Sequence, residues 1–207
     1  FLVKSIGLAP ITFRHYRKEV WRLLSDVAWG NGAIVVGGGT VGVMVILGIM
    51  GGATVGIEGY TALNLLGMEP VTGALSAFAT TREIAPLLAA TAFTAQSGCR
   101  FTAQLGSMRI SEEIDALEAI AIRPLPYLVT TRMAAAVLSI IPLYAVALAA
   151  NYIAAQVMFQ LQSGQGAGTY LHYFQQFMLS SDVLFSFLKV IVFVLLTTFI
   201  QCYYGYF

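Results

Sequence analysis

The side chains able to do chemistry in this 207-residue chain are few, and they gather in two places. Arg82, Glu83 and Arg100 interrupt a long apolar stretch, while MRISEEIDALEAIAIRPLP, from Met108 to Pro126, concentrates acidic residues. An ionisable group in hydrocarbon must face protein, water or another charge, so the first set specifies an intramembrane polar network. Glu58 and Glu69 lie near the same outer end and join it as available partners for Arg82. Arg82 and Glu83 are adjacent, so they point in different directions around a helix and are not expected to pair with each other. Such a set serves ion pairing within the fold or a transport path, or simply sits at the membrane interface.

The second set reads as a short helix over 111–120. Ser111 is placed to cap it, and Glu112, Glu113 and Asp115 suit its positive N-terminal end. Ile114, Leu117 and Ala121 form a contact stripe, Glu113, Glu118 and Arg123 offer polar contacts, and Pro124 and Pro126 discourage the helix from continuing. The plain account is an acidic loop. A short rigid helix between two long spans is also a part that a soluble motor protein can grip.

Other chemistries lack their signatures. His15 falls in a basic arm and His172 in an external loop, and no GxSxG elbow accompanies them, which argues against an intramembrane hydrolase. The glycine clusters are not followed by the lysine and hydroxyl residue of a phosphate-binding loop, so the chain is not expected to hydrolyse ATP itself. Cys99 and Cys202 read as buried packing thiols rather than a disulfide or metal pair. No catalytic, cofactor-binding or metal-ligating set is expected.

The elements that position these residues are membrane spans. The chain is 58% hydrophobic and 10% charged, with 11 Lys and Arg against 10 Asp and Glu. That is far below the roughly 25% charge of a soluble domain, and a net charge of +1 gives no reason to expect a nucleic-acid partner. From Val27 to Ile57 no residue is ionisable, and from Met133 to Ser181 there is no Asp, Glu, Lys or Arg, His172 being the one side chain that can titrate near neutral pH. About 20 apolar residues in a helix cross a bilayer. Four spans follow, at 33–57, 73–107, 126–160 and 183–204, within a single domain over 1–207. Pro86 in the second should bend it, or release the carbonyl one turn earlier to a neighbouring group.

Lys4, Arg14, Arg17, Lys18 and Arg22 precede the first span, whereas the connections Glu58 to Thr72 and Leu161 to Asp182 contain no basic residue. The alternation places the N-terminus and the 111–120 helix on the cytoplasmic side. No charged leader with a cleavage site precedes the first span, so a removed signal peptide is not expected. Between 12 and 29, Phe13, Tyr16, Val20, Leu24 and Val27 recur at helical spacing opposite Arg14, Lys18 and Arg22. This describes an interfacial helix, with Trp21 and Trp29 among headgroups and Gly30 and Gly32 allowing a sharp entry into the bilayer. Gly37, Gly38, Gly39, Gly42, Gly48, Gly51, Gly52 and Gly56 crowd the first span, several at four-residue spacing, which favours close packing by another helix.

The stretch REIAPLLAATAFTAQSGCRFTAQLGSMRISEEIDALEAIAIRPLPYLVTTRMAA, from Arg82 to Ala135, resembles the MlaE or YrbE permeases, membrane subunits of ABC-type lipid transporters that work with MCE proteins. LGSMRISEEIDALEAI is its most specific part. The similarity extends from the arm through Phe187, Lys189, Phe193 and Gly205, and its character is similar to the actinobacterial YrbE branch. Gln104 departs from the Glu of the better-known bacterial form, and Cys99 and Arg100 replace small or apolar residues.

The resemblance implies an all-α polytopic membrane protein with an interfacial helix and five crossings, the fifth beyond Phe207. It implies a second, non-identical permease subunit, two ABC ATPases carrying ATP and Mg2+, a hexameric MCE assembly, and a lipid or fatty acid substrate, generally imported across the plasma membrane. The coupling helix maps onto 111–120, with Ser111, Glu112, Glu113, Asp115, Leu117 and Glu118 meeting the ATPase. Met44, Leu47, Met50, Phe78 and Leu87, chosen for apolar shape, are candidates for a lipid pocket. The external segment Leu161 to Ser181 is a candidate contact for the MCE ring, or a short helix near the headgroups. A membrane scaffold with no transport path of its own is the competing reading.

Overall fold

The structure is a computed structural model that describes residues 16–29, 39–164 and 166–207. The start of the expected arm, the first six residues of the first expected span, and Gly30, Gly32, Gly37 and Gly38 lie outside them. The described residues form helices joined by short turns, with no strand among them: α1 (Arg17–Trp29), α2 (Gly39–Asn64), α3 (Thr72–Ala79), α4 (Ala85–Phe93), α5 (Cys99–Ile110), α6 (Glu113–Ala119), α7 (Thr131–Ser163), α8 (Ala167–Phe177) and α9 (Ser180–Tyr206). Wide π segments at Thr80–Ile84 and Thr94–Gly98 join α3, α4 and α5 into one run, 72–110, and a third at Leu125–Thr130 leads into α7.

Among the described residues, three helices are long and apolar enough to cross a membrane: Gly39–Asn64, Leu125–Ser163 and Ser180–Tyr206. The protein is an all-α polytopic membrane protein. The remaining expected span, 73–107, coincides with the 72–110 run, which carries Arg82, Glu83 and Arg100 inside it. The first span extends past residue 57 to Asn64, so Glu58 sits within α2 on an exposed face. It stops where Gly67 takes a left-handed φ of 67°, followed by a 3-10 turn at Glu69–Val71.

The chain divides into two compact units. In the unit built from 41–92 and 142–190, α2 lies along α7 through a seam of small residues. A Cβ on Gly48 would stand 2.6 Å from Ala147 O, one on Gly52 would meet the Asn151 backbone, and one on Gly56 would stand 2.7 Å from Ala155 O. The expected close packing of the glycine face is therefore present along Gly48, Gly52 and Gly56, and its partner is α7. In lipid, where apolar helices gain nothing by leaving water, this backbone approach supplies the packing. Beside it Phe159, Tyr170, Phe174 and Ala77 form an aromatic core, with Tyr60 and Tyr152 packed against it. Tyr170 donates to Ser76 Oγ at 2.8 Å. His172, expected in a loop, sits on α8, because Tyr170 and Phe174 bury one face of that segment and so hold it as a helix.

In the unit built from the described residues of 16–40, 93–141 and 191–207, α1 buries Val20, Leu23 and Val27 and leaves Trp21 67% exposed. Tyr16 meets Tyr127 edge-on at 5.2 Å. Phe101, Leu105 and Ile114 are buried, and a Cβ on Gly205 would stand 2.9 Å from Thr102 O, so α9 approaches α5 as closely as a glycine allows. Cys202 is buried, as expected, whereas Cys99, the first residue after the π segment, is exposed rather than packed.

Candidate functional site

The acidic stretch forms a helix shorter than expected. Ser111 does not cap it: its hydroxyl donates backwards to Ser107 O at 2.9 Å, closing the end of α5. Glu112 occupies the cap position at a left-handed φ of 58°, and α6 proper begins at Glu113. The helix ends at Ala121, also left-handed at φ 59°, where Ile122 N donates to Leu117 O and Ala121 N to Glu118 O, both at 3.0 Å. This pair of bonds is the usual glycine-type helix stop, here made by an alanine. Turns with positive φ thus bracket α6 on both sides. Only Ile114 is buried; Leu117 is half-buried and Glu113, Asp115 and Glu118 are exposed, as are Ser111 and Glu112 beside them. Arg109 pairs with Asp115 at 3.0 Å across the first turn, and both side chains are about half exposed or more. Along the far end of α6 runs a groove of about 450 Å³ lined by Glu118, Ala121, Ile122, Arg123, Pro124, Leu125, Pro126 and Tyr206.

The charges expected within the membrane are partnered, but not as expected. Arg82 donates to Asp182 Oδ1 at 2.7 Å and lies 4.3 Å from the centre of the Phe78 ring. Glu83 pairs with Lys189 at 2.6 Å. Glu58 and Glu69 are not the partners of Arg82: α9 brings Asp182 and Lys189 to the run, while Glu58 faces outward on α2. Adjacent residues both reach one neighbouring helix because they lie inside the π segment, where successive side chains turn by less than the 100° of an α-helix. Arg82 and Lys189 against Glu83 and Asp182 cancel to zero.

Pro86 behaves as its chemistry requires. It has no N–H for the carbonyl of Arg82, four residues earlier, and Lys189 Nζ donates to that oxygen at 2.9 Å. Arg100 stands outside this cluster and instead donates to Asp26 O on α1 at 3.2 Å.

Sequence reasoning missed three charged residues. Asp182 ends an expected connection, and Lys189 falls inside an expected apolar span, where a lysine is itself a signal. Arg132 is buried near the start of α7, where it donates to Leu128 O at 2.8 Å and to Gln104 Oε1 at 3.5 Å. Gln104, one of the departures from the resembled pattern, is therefore the neutral neighbour of a buried guanidinium. Of the lipid-pocket candidates, Met44 is buried, Leu47 half-buried, and Met50, Phe78 and Leu87 are each more than half exposed, with Phe78 occupied by Arg82. Among the described residues no cluster of His, Cys, Asp and Glu suits a metal ion.

A sequence model of a known family, described as Permease MlaE, matches residues 30–207. The chain belongs to the MlaE permease family. This MlaE chain is 27% identical over 165 residues to the intermembrane phospholipid transport system permease protein MlaE of Haemophilus influenzae, covering 79% of the chain and 63% of that protein. It is 26% identical over 156 residues to a probable ABC transporter permease protein of Rickettsia bellii, covering 75% and 60%. A probable ABC transporter permease protein of Pyropia yezoensis, ycf63, is 33% identical over 138 residues, covering 64% and 51%. The chain thus spans about three fifths of the length of the first two relatives.

Proposed function

We propose that this chain is the permease subunit of an ABC-type lipid transporter in the plasma membrane, with α6 as the helix through which partner ATPases drive it. The observation that carries this reading is the construction of α6. One buried residue, Ile114, anchors it, an exposed acidic face is left for a partner, and a left-handed residue at each end acts as a pivot. ATP and Mg2+ belong to the ATPases. Nucleotide binding there supplies differential contacts that bias two arrangements of the permease, and a ligand shifts such an equilibrium only by its difference in affinity for the two.

Ser111, Glu112, Glu113, Asp115, Leu117 and Glu118 are the proposed ATPase contacts. The exposed apolar side chains Met50, Phe78 and Leu87, with Leu47 and Met44 behind them, are the proposed wall for acyl chains once a second permease, by resemblance a non-identical one, covers them. Each buried methylene contributes about 0.8 kcal/mol, so a long chain must be released in stages. The Arg82, Glu83, Asp182 and Lys189 cluster fixes α9 to the run that carries this wall. On the outer side, α8 and the Leu65 to Met68 turn are the proposed contacts for an MCE assembly, with import as the direction.

The test is reconstitution with the partner ATPase, second permease and MCE proteins, followed by ATP-dependent lipid transfer. Reversing Glu113, Asp115 and Glu118 to Lys should abolish transfer while the separated ATPase stays active. Unchanged transfer rejects the coupling role of α6, and assembly without any transfer by the unaltered complex favours the scaffold reading.

A further inference from the structure

Within the unit containing α1, α5 and the end of α9, the π segment Thr94–Gly98 is engaged from three sides. Gln201 of α9 donates Nε2 to Thr94 O at 3.2 Å, and its amide occupies the space a Cβ on Gly98 would need. Thr102 Oγ1 donates to Gln201 O at 3.1 Å, tying α9 to the same place. Ser97 shares a buried hydrogen bond of 3.0 Å with Thr40. Two residues past the segment, Arg100 donates Nη1 to Asp26 O in the last turn of α1. Ser97, Arg100, Phe101 and Gln104 form one wall of a small cleft whose other wall is Leu23, Asp26 and Val27 of α1.

A π turn holds one residue more than an α turn, so it sets the direction of every side chain after it. Closing this turn to α would carry Arg100 about 100° around the helix axis, away from Asp26. An outside donor on a carbonyl of the turn favours the wide form, and Gln201 is that donor. Its hold is releasable, because Gln201 Oε1 is buried with no donor of its own among the described residues, and an unmet acceptor offsets part of what Nε2 contributes.

We propose that Gln201 is a positioning residue: by keeping the π turn at Thr94–Gly98 wide it aims Arg100 at the C-terminal end of α1, so that movement of α9 is transmitted to the docking of α1. The proposal concerns elements of this chain alone and stands or falls independently of the lipid-transport reading.

Hydrogen exchange on the purified chain in lipid nanodiscs tests it, read over 17–29 and over 94–102. Gln201→Leu should raise exchange at least tenfold in both segments. Gly98→Ala, whose methyl displaces the Gln201 amide while leaving it in the chain, should do the same and serves if the first variant folds poorly. Arg100→Gln should raise exchange over 17–29 only. The double variant Gln201→Leu with Arg100→Gln should free α1 no more than Arg100→Gln alone, since both act through one contact. Unchanged exchange over 17–29 in Gln201→Leu and Gly98→Ala, or additive effects in the double variant, overturns the proposal, as does an Arg100→Gln variant that loosens 94–102 as well.

Discussion

At the scale of single residues, the four charges that join α9 to the 72–110 run are unequal in what they hold. Asp182 is buried and Arg82 about two-fifths exposed, so Arg82→Met strands a carboxylate. Solvent screening of the exposed partner limits the expected loss to about 1–2 kcal/mol in a denaturation series in detergent. Glu83 is largely exposed, and Glu83→Gln should cost under about 1 kcal/mol. Lys189→Met should cost distinctly more than Glu83→Gln, because Lys189 also serves the carbonyl that Pro86 leaves without a donor. Equal losses from the two variants would show that this carbonyl bond contributes nothing. Outside the spans, burial pushes the Tyr170 phenol up to about 12, partly opposed by its bond to Ser76. A phenol whose folded pKa is raised stabilises the fold fully below its ordinary value near 10 and loses that contribution as pH rises through 12. Tyr170→Phe should therefore flatten the decline in stability over that interval.

At the scale of elements, backbone conformation separates two kinds of glycine. Gly67 has φ 67° and open space around it, so Gly67→Ala should cost only the left-handed strain of about 1–2 kcal/mol. Gly52→Ala drives a methyl into the Asn151 backbone and forces α2 and α7 apart, which should cost more and lower the melting temperature more steeply. Ala121→Gly goes the other way: it relieves the left-handed alanine at the end of α6 and should stabilise by up to about 1 kcal/mol. What could be read in advance follows the same physics. Apolar runs mark long helices regardless of context, so the three long apolar helices were legible, and so was the carbonyl released by Pro86; the acidic stretch was legible as a short helix, though not where it begins. The π segments were not, because one extra residue in a turn barely disturbs a hydrophobic pattern in helices that are apolar all round. Asp182 and Lys189 lie 100 and 106 residues from their partners, a distance over which local spacing carries no information. Ser111 had the side chain of a cap, but Glu112 supplied the turn.

At the scale of the whole molecule, this member of the MlaE permease family combines long apolar helices, a four-charge set that sums to zero, and a short helix with an exposed acidic face. The distribution of Lys and Arg sets the expected orientation. Glu113→Cys in membrane vesicles should react with an impermeant maleimide only where the cytoplasmic face is outward, and Leu66→Cys only in the opposite sense, both side chains being exposed. The reverse pattern would place α6 beyond the reach of any cytoplasmic ATPase.

The Gly48, Gly52 and Gly56 seam also bears on how the protein is made. Its two sides are separated by about a hundred residues of chain, so α2 enters the bilayer well before α7 exists and must wait, its bare backbone stripe facing lipid. Fitting the two together is then a late lateral step that competes with recognition by membrane proteases. Bulky substitutions along the stripe should therefore appear in cells first as shortened protein lifetime, before any defect in a correctly assembled molecule can be measured.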